Sequence, residues 1–474
     1  MLLRRALPRL PPAARFPPAH PHQRRHFRPT PLRPLSLFGF SLPEPSDAPL
    51  AGADGSGVPW LFLAQVVVGL PTALWAYKCL LLVLFQRRII YLPSVPPGTR
   101  DESLADGERT PARDASLAGM RWREVRVESG VGTRWTGRRV ELRGIEVEWA
   151  EKEKERERER PHVVVVYLQG NAGTPLLRVP LFRALLRPSP HSSSSTTPVT
   201  PRVTLLAIAP RSYWLSTRST PTERALVADS RAALRFARAE HPHARVVLYG
   251  HSLGGAAAVV LAQELGVAPF PPRRLTGGVE GQEGEEEGEA RAVRGLILEN
   301  PLPSIPFMVR ALYPQRWLPY HYLGPFAFDK WNALGRLRLA ALAAEGSRGG
   351  EEKRGRKAPR SLWIRSGRDE IIPASSLPGE EGAEGDGVRA MYAAWLSASG
   401  LSRSSSSSPS PPPPPTPSAT TGPPQARWLD VPNALHDLAY LERRWAEEVR
   451  RFLGEVAAEE NGEGIEVRRQ EEKG

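Results

Sequence analysis

The stretch Gly250-His251-Ser252-Leu253-Gly254-Gly255 decides the fold, because it is a G-x-S-x-G pattern between a strand and a helix. The apolar run RVVLY (residues 245–249) before it reads as a buried strand, and AAAVVLAQEL after it reads as a helix. A nucleophile elbow needs this strand–turn–helix setting, in which a tight turn projects a serine hydroxyl at the carboxyl edge of a sheet. The pattern predicts that Ser252 is a nucleophile, and that glycine is needed at 250 and 254 to avoid clashes.

Short β-rich runs alternate with helical patterns on both sides of this turn. The apolar runs at 163–166 and 205–208 are typical of strands buried on both faces. Two early strands followed by strand–helix alternation predict an α/β fold with a mostly parallel sheet and helices on both faces. The predicted strands are residues 122–127, 139–149, 162–168, 203–209, 245–249, 294–299, 361–366 and 427–431, and the clearest helices are 222–240 and 253–265.

A serine hydroxyl becomes a nucleophile only when a base removes its proton. In this kind of fold the partners follow in the order serine, acid, histidine. Only His321 and His436 follow Ser252, and only His436 comes after the last predicted strand. His436 is therefore the predicted base.

The acid that orients this base is predicted to be Asp369. It stands in SLWIRSGRDEIIP, directly after a predicted strand and the turn at Gly367. A carboxylate there can accept from the histidine ring N–H and stabilise the imidazolium. Glu370 is an alternative but should point away if Asp369 points inward, whereas Asp437 is too close in sequence to fold back onto the ring of His436.

An oxyanion hole needs two N–H donors. Leu253, directly after the nucleophile, is predicted to supply one through its backbone. The loop Gln169-Gly170-Asn171-Ala172-Gly173 follows the strand at 162–168 and is predicted to supply the other from Asn171.

In this order and spacing, the stretches LQGNAG, GHSLGG, ENPLPSIPFMV, SGRDEIIP and NALHDL resemble the membrane-anchored α/β-hydrolases of the bud-emergence family, whose animal relatives are single-pass abhydrolase-domain proteins. The resemblance covers about residues 85–453, insertions excepted. It implies an α/β-hydrolase fold and maps nucleophile, acid and base onto Ser252, Asp369 and His436.

Two departures from the family leave the substrate open. The family usually has His-Gly-Asn where this chain has Gln169-Gly170-Asn171. Its aromatic-Arg-Gly-Tyr-Gly is replaced by Pro210-Arg211-Ser212-Tyr213-Trp214, which has no glycine. We expect the second change to alter the pocket wall.

The stretch WLFLAQVVVGLPTALWAYKCLLLVLF predicts one transmembrane helix within residues 58–86, because it is long enough to cross a bilayer and carries one charge, Lys78. A buried or interfacial helix of the catalytic domain is the alternative. Arg87 and Arg88 favour a cytosolic catalytic domain by the positive-inside rule. Eight arginines within residues 1–43 favour the reverse, so the orientation and the membrane, endomembrane or plasma membrane, stay open.

The remaining boundaries follow from composition. Residues 1–57 form an Arg/Pro-rich arm, either disordered or an organelle transit peptide. A linker (87–119), an α/β-hydrolase domain (120–457) and a charged tail (458–474) follow. Low-complexity insertions are predicted at 150–160, 187–201, 277–290, 345–358, 379–387 and 402–424.

Composition also excludes several classes of function. The single cysteine, Cys79, rules out an internal disulfide framework and a thiolate zinc site, and the predicted chemistry needs no metal or cofactor. The net charge of +13 comes mainly from the arm, and no nucleic-acid recognition pattern is present, so nucleic-acid binding is not predicted.

The sequence therefore predicts a membrane-tethered serine hydrolase that cleaves an ester or thioester of a hydrophobic acyl substrate. Eight aromatic residues within 301–331, close to a membrane span, favour a substrate presented from the bilayer. Two alternatives remain. One is a membrane-anchored scaffold involved in cell polarity that retains the fold, and the other is a serine peptidase of the same fold.

Overall fold

The computed structural model describes residues 60–102, 117–132, 137–150, 160–188, 200–271, 280–346, 357–372, 386–401 and 425–459. The predicted arm, almost all of the charged tail, residues 402–424 and most of the other predicted insertions lie outside these ranges. The chain divides into two compact units, Met1–Ala64 and Gln65–Gly474. Within the first unit the described part is the short helix α1 (Trp60–Ala64).

Eight strands of the second unit form one sheet in the order β1-β2-β4-β3-β5-β6-β7-β8. Strand β2 runs antiparallel to both of its neighbours, β1 and β4, and all other neighbouring pairs are parallel. All predicted strands are present, and their ends differ from the prediction by two residues or fewer. The strands are β1 (Met120–Ser129), β2 (Val140–Trp149), β3 (His162–Leu168), β4 (Arg202–Ala209), β5 (Arg245–His251), β6 (Val293–Glu299), β7 (Arg360–Ser366) and β8 (Ala426–Val431).

Helices follow most of the strands. In chain order they are α2 (Leu70–Leu84), α3 (Gln86–Ile90), α4 (Val179–Leu186), α5 (Glu223–Glu240), α6 (Leu253–Glu264), α7 (Glu280–Ala292), α8 (Ile305–Leu312), α9 (Ala333–Gly346), α10 (Gly387–Ala398) and α11 (Arg443–Ala458). A π-helical segment (Gln65–Gly69) precedes α2, and short 3₁₀ helices lie at Pro175–Arg178, Pro319–Tyr322, Gly324–Phe326 and Ala439–Leu441. Helix α5 begins where the sequence predicts, because the hydroxyl of Thr222 accepts from the N–H of Ala225 at 3.2 Å.

The centre of the sheet is the core of the second unit. Residues 163–166 of β3 are fully buried, as their continuous apolar run predicted. Helix α6 is rich in alanine and packs closely on β3 and β5. This strand order, with β2 antiparallel and a helix directly after β5, is the α/β-hydrolase fold, so the predicted fold class is confirmed. The carboxyl ends of β3 and β5–β8 meet at one edge.

Residues 280–290 of the acidic stretch predicted as an insertion at 277–290 belong to α7, which leads directly into β6. The prediction rested on a composition with too little apolar surface to offset the entropy lost when the chain is ordered. In the structure Glu289 is buried, but Arg231 and Arg235 of α5 donate to it at 2.6 and 2.5 Å. The two arginines offset the cost of burying the Glu289 carboxylate, which composition alone does not reveal.

The predicted linker over 87–119 is also wrong in its first part. Tyr91 lies in the core, and its hydroxyl accepts from Nε1 of Trp331 at 3.0 Å. Because the ring is buried and its polar end is paired, this segment belongs to the folded unit.

The helix from Trp60 to Leu84 is 25 residues long, and its most apolar 18-residue window has a mean hydropathy of 1.8 and contains no buried residue. By length and composition it is able to cross a membrane.

Candidate active site

Ser252 lies between the end of β5 and the start of α6, with φ 53° and ψ −118°. A positive φ is strained for a serine and is the conformation expected of a nucleophile elbow. A side chain at Gly250 would come within 2.5 Å of the carbonyl oxygen of Gly254, and one at Gly254 would overlap the carbonyl of Leu168. Both positions therefore require glycine, as the sequence predicted.

Asp369 and His436 are 67 residues apart in sequence and in direct contact in the structure. Both carboxylate oxygens of Asp369 lie 2.9 Å from Nδ1 of His436. Both side chains are buried almost completely. This contact makes Nδ1 the protonated nitrogen and leaves Nε2 as a proton acceptor, which is the tautomer that a general base requires.

Backbone and charged groups keep Asp369 ionised. The N–H groups of Ile371 and Ile372 donate to its Oδ1 at 2.9 and 2.8 Å, and Arg365 donates to its Oδ2 at 3.0 Å. Burial opposes ionisation, but the hydrogen bond and charge of His436 and these backbone donors lower the pKa of Asp369 below its ordinary value. The carboxylate can therefore stabilise a protonated His436.

Sequence reasoning missed Arg365, a buried arginine at the end of β7. Its guanidinium contacts Asp369 at 3.0 Å and Asp386 at 3.2 Å, and it donates to the carbonyl of Ile372 at 3.0 Å. Arg365 thus joins the loop of the acid to Asp386 at the start of α10. A signal was present, because a charged residue inside an otherwise apolar strand rarely lies buried without partners.

Asn300 and Glu370 hold the loop of the base. Asn300, buried at the end of β6, donates from Nδ2 to the carbonyl oxygen of His436 and to Oγ of Ser366, both at 2.9 Å. It also accepts from the N–H of Ser366 at 2.8 Å. Glu370, the alternative acid, instead accepts from the backbone N–H of His436 at 3.0 Å, so it holds the main chain and not the ring.

No hydrogen bond joins the side chains of Ser252 and His436 in the described ranges, and the contacts of His251 show where the histidine lies. Ring centroids of His251 and His436 are 4.9 Å apart, and Nε2 of His251 lies 3.1 Å from the carbonyl oxygen of His436. His436 therefore lies beside His251, the residue that precedes Ser252. Catalytic hydrogen bonds are often long before substrate binds and shorten in the complex.

The two predicted oxyanion donors lie on neighbouring elements. Leu253 is the first residue of α6, and its N–H has no backbone acceptor among the described residues, as expected at a helix start. Asn171 follows β3 in the next loop, and a side chain at Gly170 would lie 3.6 Å from Cβ of Ser252. The loop therefore passes directly over the nucleophile.

Two groups outside the sheet hold this oxyanion loop. The carbonyl oxygen of Asn171 accepts from the N–H of Leu92 at 2.8 Å and from the hydroxyl of Tyr213 at 2.9 Å. The N–H of Gly173 donates to the carbonyl of Val95 at 2.8 Å. The segment that follows α3 thus pairs with the oxyanion loop as a short parallel bridge.

Two residues other than glycine in the loop after β4 have a positive φ. Ser212 and Trp214, which stand where the family has glycine, have φ 69° and 44°. Trp214 is fully buried and donates from Nε1 to the carbonyl of Glu102 at 2.6 Å, so it supports the fold. This arrangement presents the Tyr213 hydroxyl to Asn171.

Gln169, which replaces the family's histidine, is buried behind the oxyanion loop. Its Nε2 donates to the carbonyl of Gly173 at 3.4 Å, and its Oε1 has no partner among the described residues. The side chain borders a cavity of about 20 Å³ that Leu253 and Trp331 also line. That volume holds about one water molecule and no acyl chain.

One cluster of donors near the nucleophile has the composition of a metal site. Ligand atoms of His251, His436 and Asp437 lie within 4.8 Å of one another. The guanidinium of Arg178 already contacts Asp437 at 2.5 Å and lies 3.5 Å from Nδ1 of His251. Burial and the charge of Arg178 hold the pKa of His251 well below its ordinary value. The same charge would repel a metal cation, so the donor set fits an ion pair better than a metal.

No family model matches the chain. Similar solved structures include an α/β-hydrolase from Vibrio vulnificus, with a TM-score of 0.44 and 14% identity over 78% of this chain and 92% of that chain. An esterase from Mycobacterium marinum has a TM-score of 0.38 and 14% identity over 79% and 94%. A peroxisomal α/β-hydrolase from Saccharomyces cerevisiae has a TM-score of 0.40 and 10% identity over 73% and 91%. Likeness this distant does not identify an activity.

Proposed function

We propose that this chain is a membrane-tethered serine hydrolase of the bud-emergence type, which cleaves an ester or thioester of a hydrophobic acyl group. The observation that carries the proposal is the double 2.9 Å contact of Asp369 with Nδ1 of His436, on the sheet edge that also holds the strained Ser252. An acid, a base in the correct tautomer and a serine at an elbow are the parts of a catalytic triad.

The reaction proceeds in two stages. Nε2 of His436 takes the proton of the Ser252 hydroxyl while Oγ attacks the acyl carbonyl carbon, and the carbonyl electron pair moves to oxygen. The N–H groups of Leu253 and Asn171 hold this oxyanion. The tetrahedral intermediate then expels the alcohol or thiol, which receives the proton from His436.

Water completes the cycle. It attacks the acyl-enzyme carbonyl as His436 takes one of its protons, and the second intermediate releases the acid and restores the Ser252 hydroxyl. Asp369 stays ionised throughout and stabilises the imidazolium of each stage.

Exposed apolar side chains beside the triad support a hydrophobic acyl group. Ile371 lies two positions after Asp369, and Leu435 and Leu438 flank His436; all three are exposed or nearly so. Apolar side chains next to a polar site favour a substrate with an apolar acyl chain over a substrate with a charged group there. The apolar helix Trp60–Leu84 supports the membrane tether.

A fluorophosphonate probe tests the proposal. We expect labelling of the full-length protein and none of the Ser252→Ala variant, because the probe reacts only with an activated serine. A Ser397→Ala variant on α10 should label like the unchanged protein. Equal labelling of Ser252→Ala would mean that another serine reacts and would refute Ser252 as the nucleophile, whereas no labelling of the unchanged protein would favour the scaffold alternative. Competition by acyl esters, acyl thioesters and peptides then separates the substrate classes.

A further inference from the structure

The segment between β6 and α9, residues 301–331, exposes an unusual amount of apolar surface. We call it the aromatic segment. Contiguous apolar patches of this kind on a folded protein commonly mark an interaction site. Five of its large apolar side chains are between 57% and 70% exposed: Leu312, Trp317, Tyr322, Phe326 and Phe328.

The aromatic segment packs on the apolar helix α2. The rings of Trp317 and Trp75 have centroids 6.1 Å apart, and Nζ of Lys78 lies 4.6 Å from the centre of the Tyr320 ring. This cation–π contact gives the one charge of the helix a partner other than water.

Hydrogen bonds and an ion pair join the end of the segment to α3. Gln86 donates from Nε2 to the carbonyl of Phe326 at 3.2 Å and accepts from the N–H of Phe328 at 2.6 Å. Arg87 pairs with the buried Asp329 at 3.1 Å. Because these contacts combine with the ring packing, the position of the helix fixes the position of the aromatic segment.

Helix length then sets the depth of the segment. A hydrocarbon core of about 30 Å needs about 20 helical residues. The contacts with the aromatic segment lie at Trp75 and Lys78, 15 and 18 residues after the start of the 25-residue apolar helix, so fewer than 20 helical residues precede them. A bilayer that accommodates this helix therefore reaches the level of Trp75, where Trp317 is packed.

Charge on the segment matches a lipid headgroup layer. Residues 301–328 contain Arg310 and Arg316, both exposed, and no acidic residue. Exposed Arg88 and Lys330 add two further cations at the end of the helix and of the segment. Tryptophan and tyrosine rings with nearby cations are typical of the membrane interface, and cations are attracted to anionic headgroups.

We propose that the aromatic segment is a second membrane-contact surface, which lies in the interfacial layer of a phospholipid bilayer and favours anionic headgroups. The inference rests on the membrane placement in the proposed function and is independent of the hydrolase chemistry. It keeps the catalytic domain against the bilayer instead of at the end of a free linker.

Depth-dependent fluorescence quenching tests this. Full-length protein carrying Cys79→Ser is reconstituted into phosphatidylcholine vesicles with and without phosphatidylglycerol. An environment-sensitive fluorophore is attached at Trp317→Cys or Phe326→Cys, at Leu70→Cys in α2 as the membrane reference, and at Trp122→Cys in β1 as the water reference. Nitroxide-labelled lipids and aqueous iodide are the two quenchers.

We expect several-fold stronger lipid-borne quenching at positions 317 and 326 than at 122, with matching protection from iodide. An Arg310→Gln, Arg316→Gln double variant should lose the additional protection that phosphatidylglycerol gives. The proposal is overturned if 317 and 326 behave like 122 while 70 reports lipid. It is also overturned if iodide protection appears without lipid quenching, because a second protein copy would then cover the surface. Iodide access at 70 would instead refute the tether itself, whatever the probe labelling shows.

Discussion

The two sides of the catalytic edge are held in different ways. On the acid–base side, buried side chains of the sheet fix the loops, since Arg365 contacts Asp369 and Asn300 binds the main chain of His436. On the oxyanion side, the carbonyl of Asn171 is bound by Leu92 and by Tyr213. The base therefore depends on the sheet, whereas the oxyanion loop depends on the segment that follows the apolar helix.

The largest expected effect comes from weakening the contact between Asp369 and His436. Asp369→Asn keeps the shape but offers an amide in place of a carboxylate, so the ring of His436 loses its preferred tautomer and the stabilisation of its charge. We expect kcat to fall about 10⁴-fold with KM little changed. Hydrolysis of a soluble aryl ester measures this. Asp430→Asn, at a partly exposed position of β8, is the matched control. A loss smaller than about tenfold would remove Asp369 from the proposed mechanism.

Asn300 tests whether the sheet holds the base through its main chain. Asn300→Ala removes three hydrogen bonds and leaves the buried carbonyl of His436 and groups of Ser366 with fewer partners. We expect the free energy of unfolding to fall by about 2–4 kcal/mol and kcat to fall with it. Chemical denaturation gives the first value. Asn332→Ala removes a helix cap at an exposed turn before α9, so it should lower stability by about 1 kcal/mol and leave kcat unchanged. An unaltered kcat in Asn300→Ala would show that the base does not need the hydrogen bond of Asn300.

The residues of the proposed triad could be placed at one edge of the sheet from the sequence, because their positions follow rules of chain order. The glycines around Ser252 indicate a tight turn, and Asp369 and His436 each follow a recognisable strand. Parallel strands bring their carboxyl ends to one edge, so side chains that are distant in sequence meet there. Elimination of other histidines did not require knowledge of any contact.

The supporting residues could not be predicted, because their roles depend on partners far away in sequence. Asn300 and Ser366 are 66 residues apart, and Tyr91 meets Trp331 across 240 residues. Tyr91 was assigned to a linker for this reason. The burial of Glu289 could not be predicted from composition either, because the arginines that pair with it belong to α5.

His162 is the first residue of β3 and lies away from the carboxyl edge of the sheet, so it provides a reference for the stability measurements. Burial, together with Arg202 and His241, lowers the pKa of His162 from 6.5 to about 4. The folded protein therefore keeps the ring neutral at pH values where the unfolded chain binds a proton. Stability from this group is complete above pH 6.5 and falls as the pH drops toward about 4, by up to about 1.4 kcal/mol per pH unit.

Denaturation at several pH values checks this expectation. His162→Gln keeps an N–H donor for Thr204 but cannot titrate, so its stability curve should be flatter between pH 6.5 and pH 4. The exposed His243→Gln should follow the unchanged protein. If all three curves are parallel, protonation of His162 is not coupled to folding.

The smallest effect belongs to the oxyanion side, because two donors share the carbonyl of Asn171. Tyr213→Phe removes the hydroxyl and leaves the N–H of Leu92 in place. We expect kcat to fall about fivefold, less than the loss of an oxyanion donor itself, with KM for a soluble ester unchanged. Tyr392→Phe on α10 controls for the loss of a hydroxyl. A fall as large as that of Asp369→Asn would mean that Leu92 contributes little, and the oxyanion loop would then depend on the loop after β4 and not on the segment behind the apolar helix.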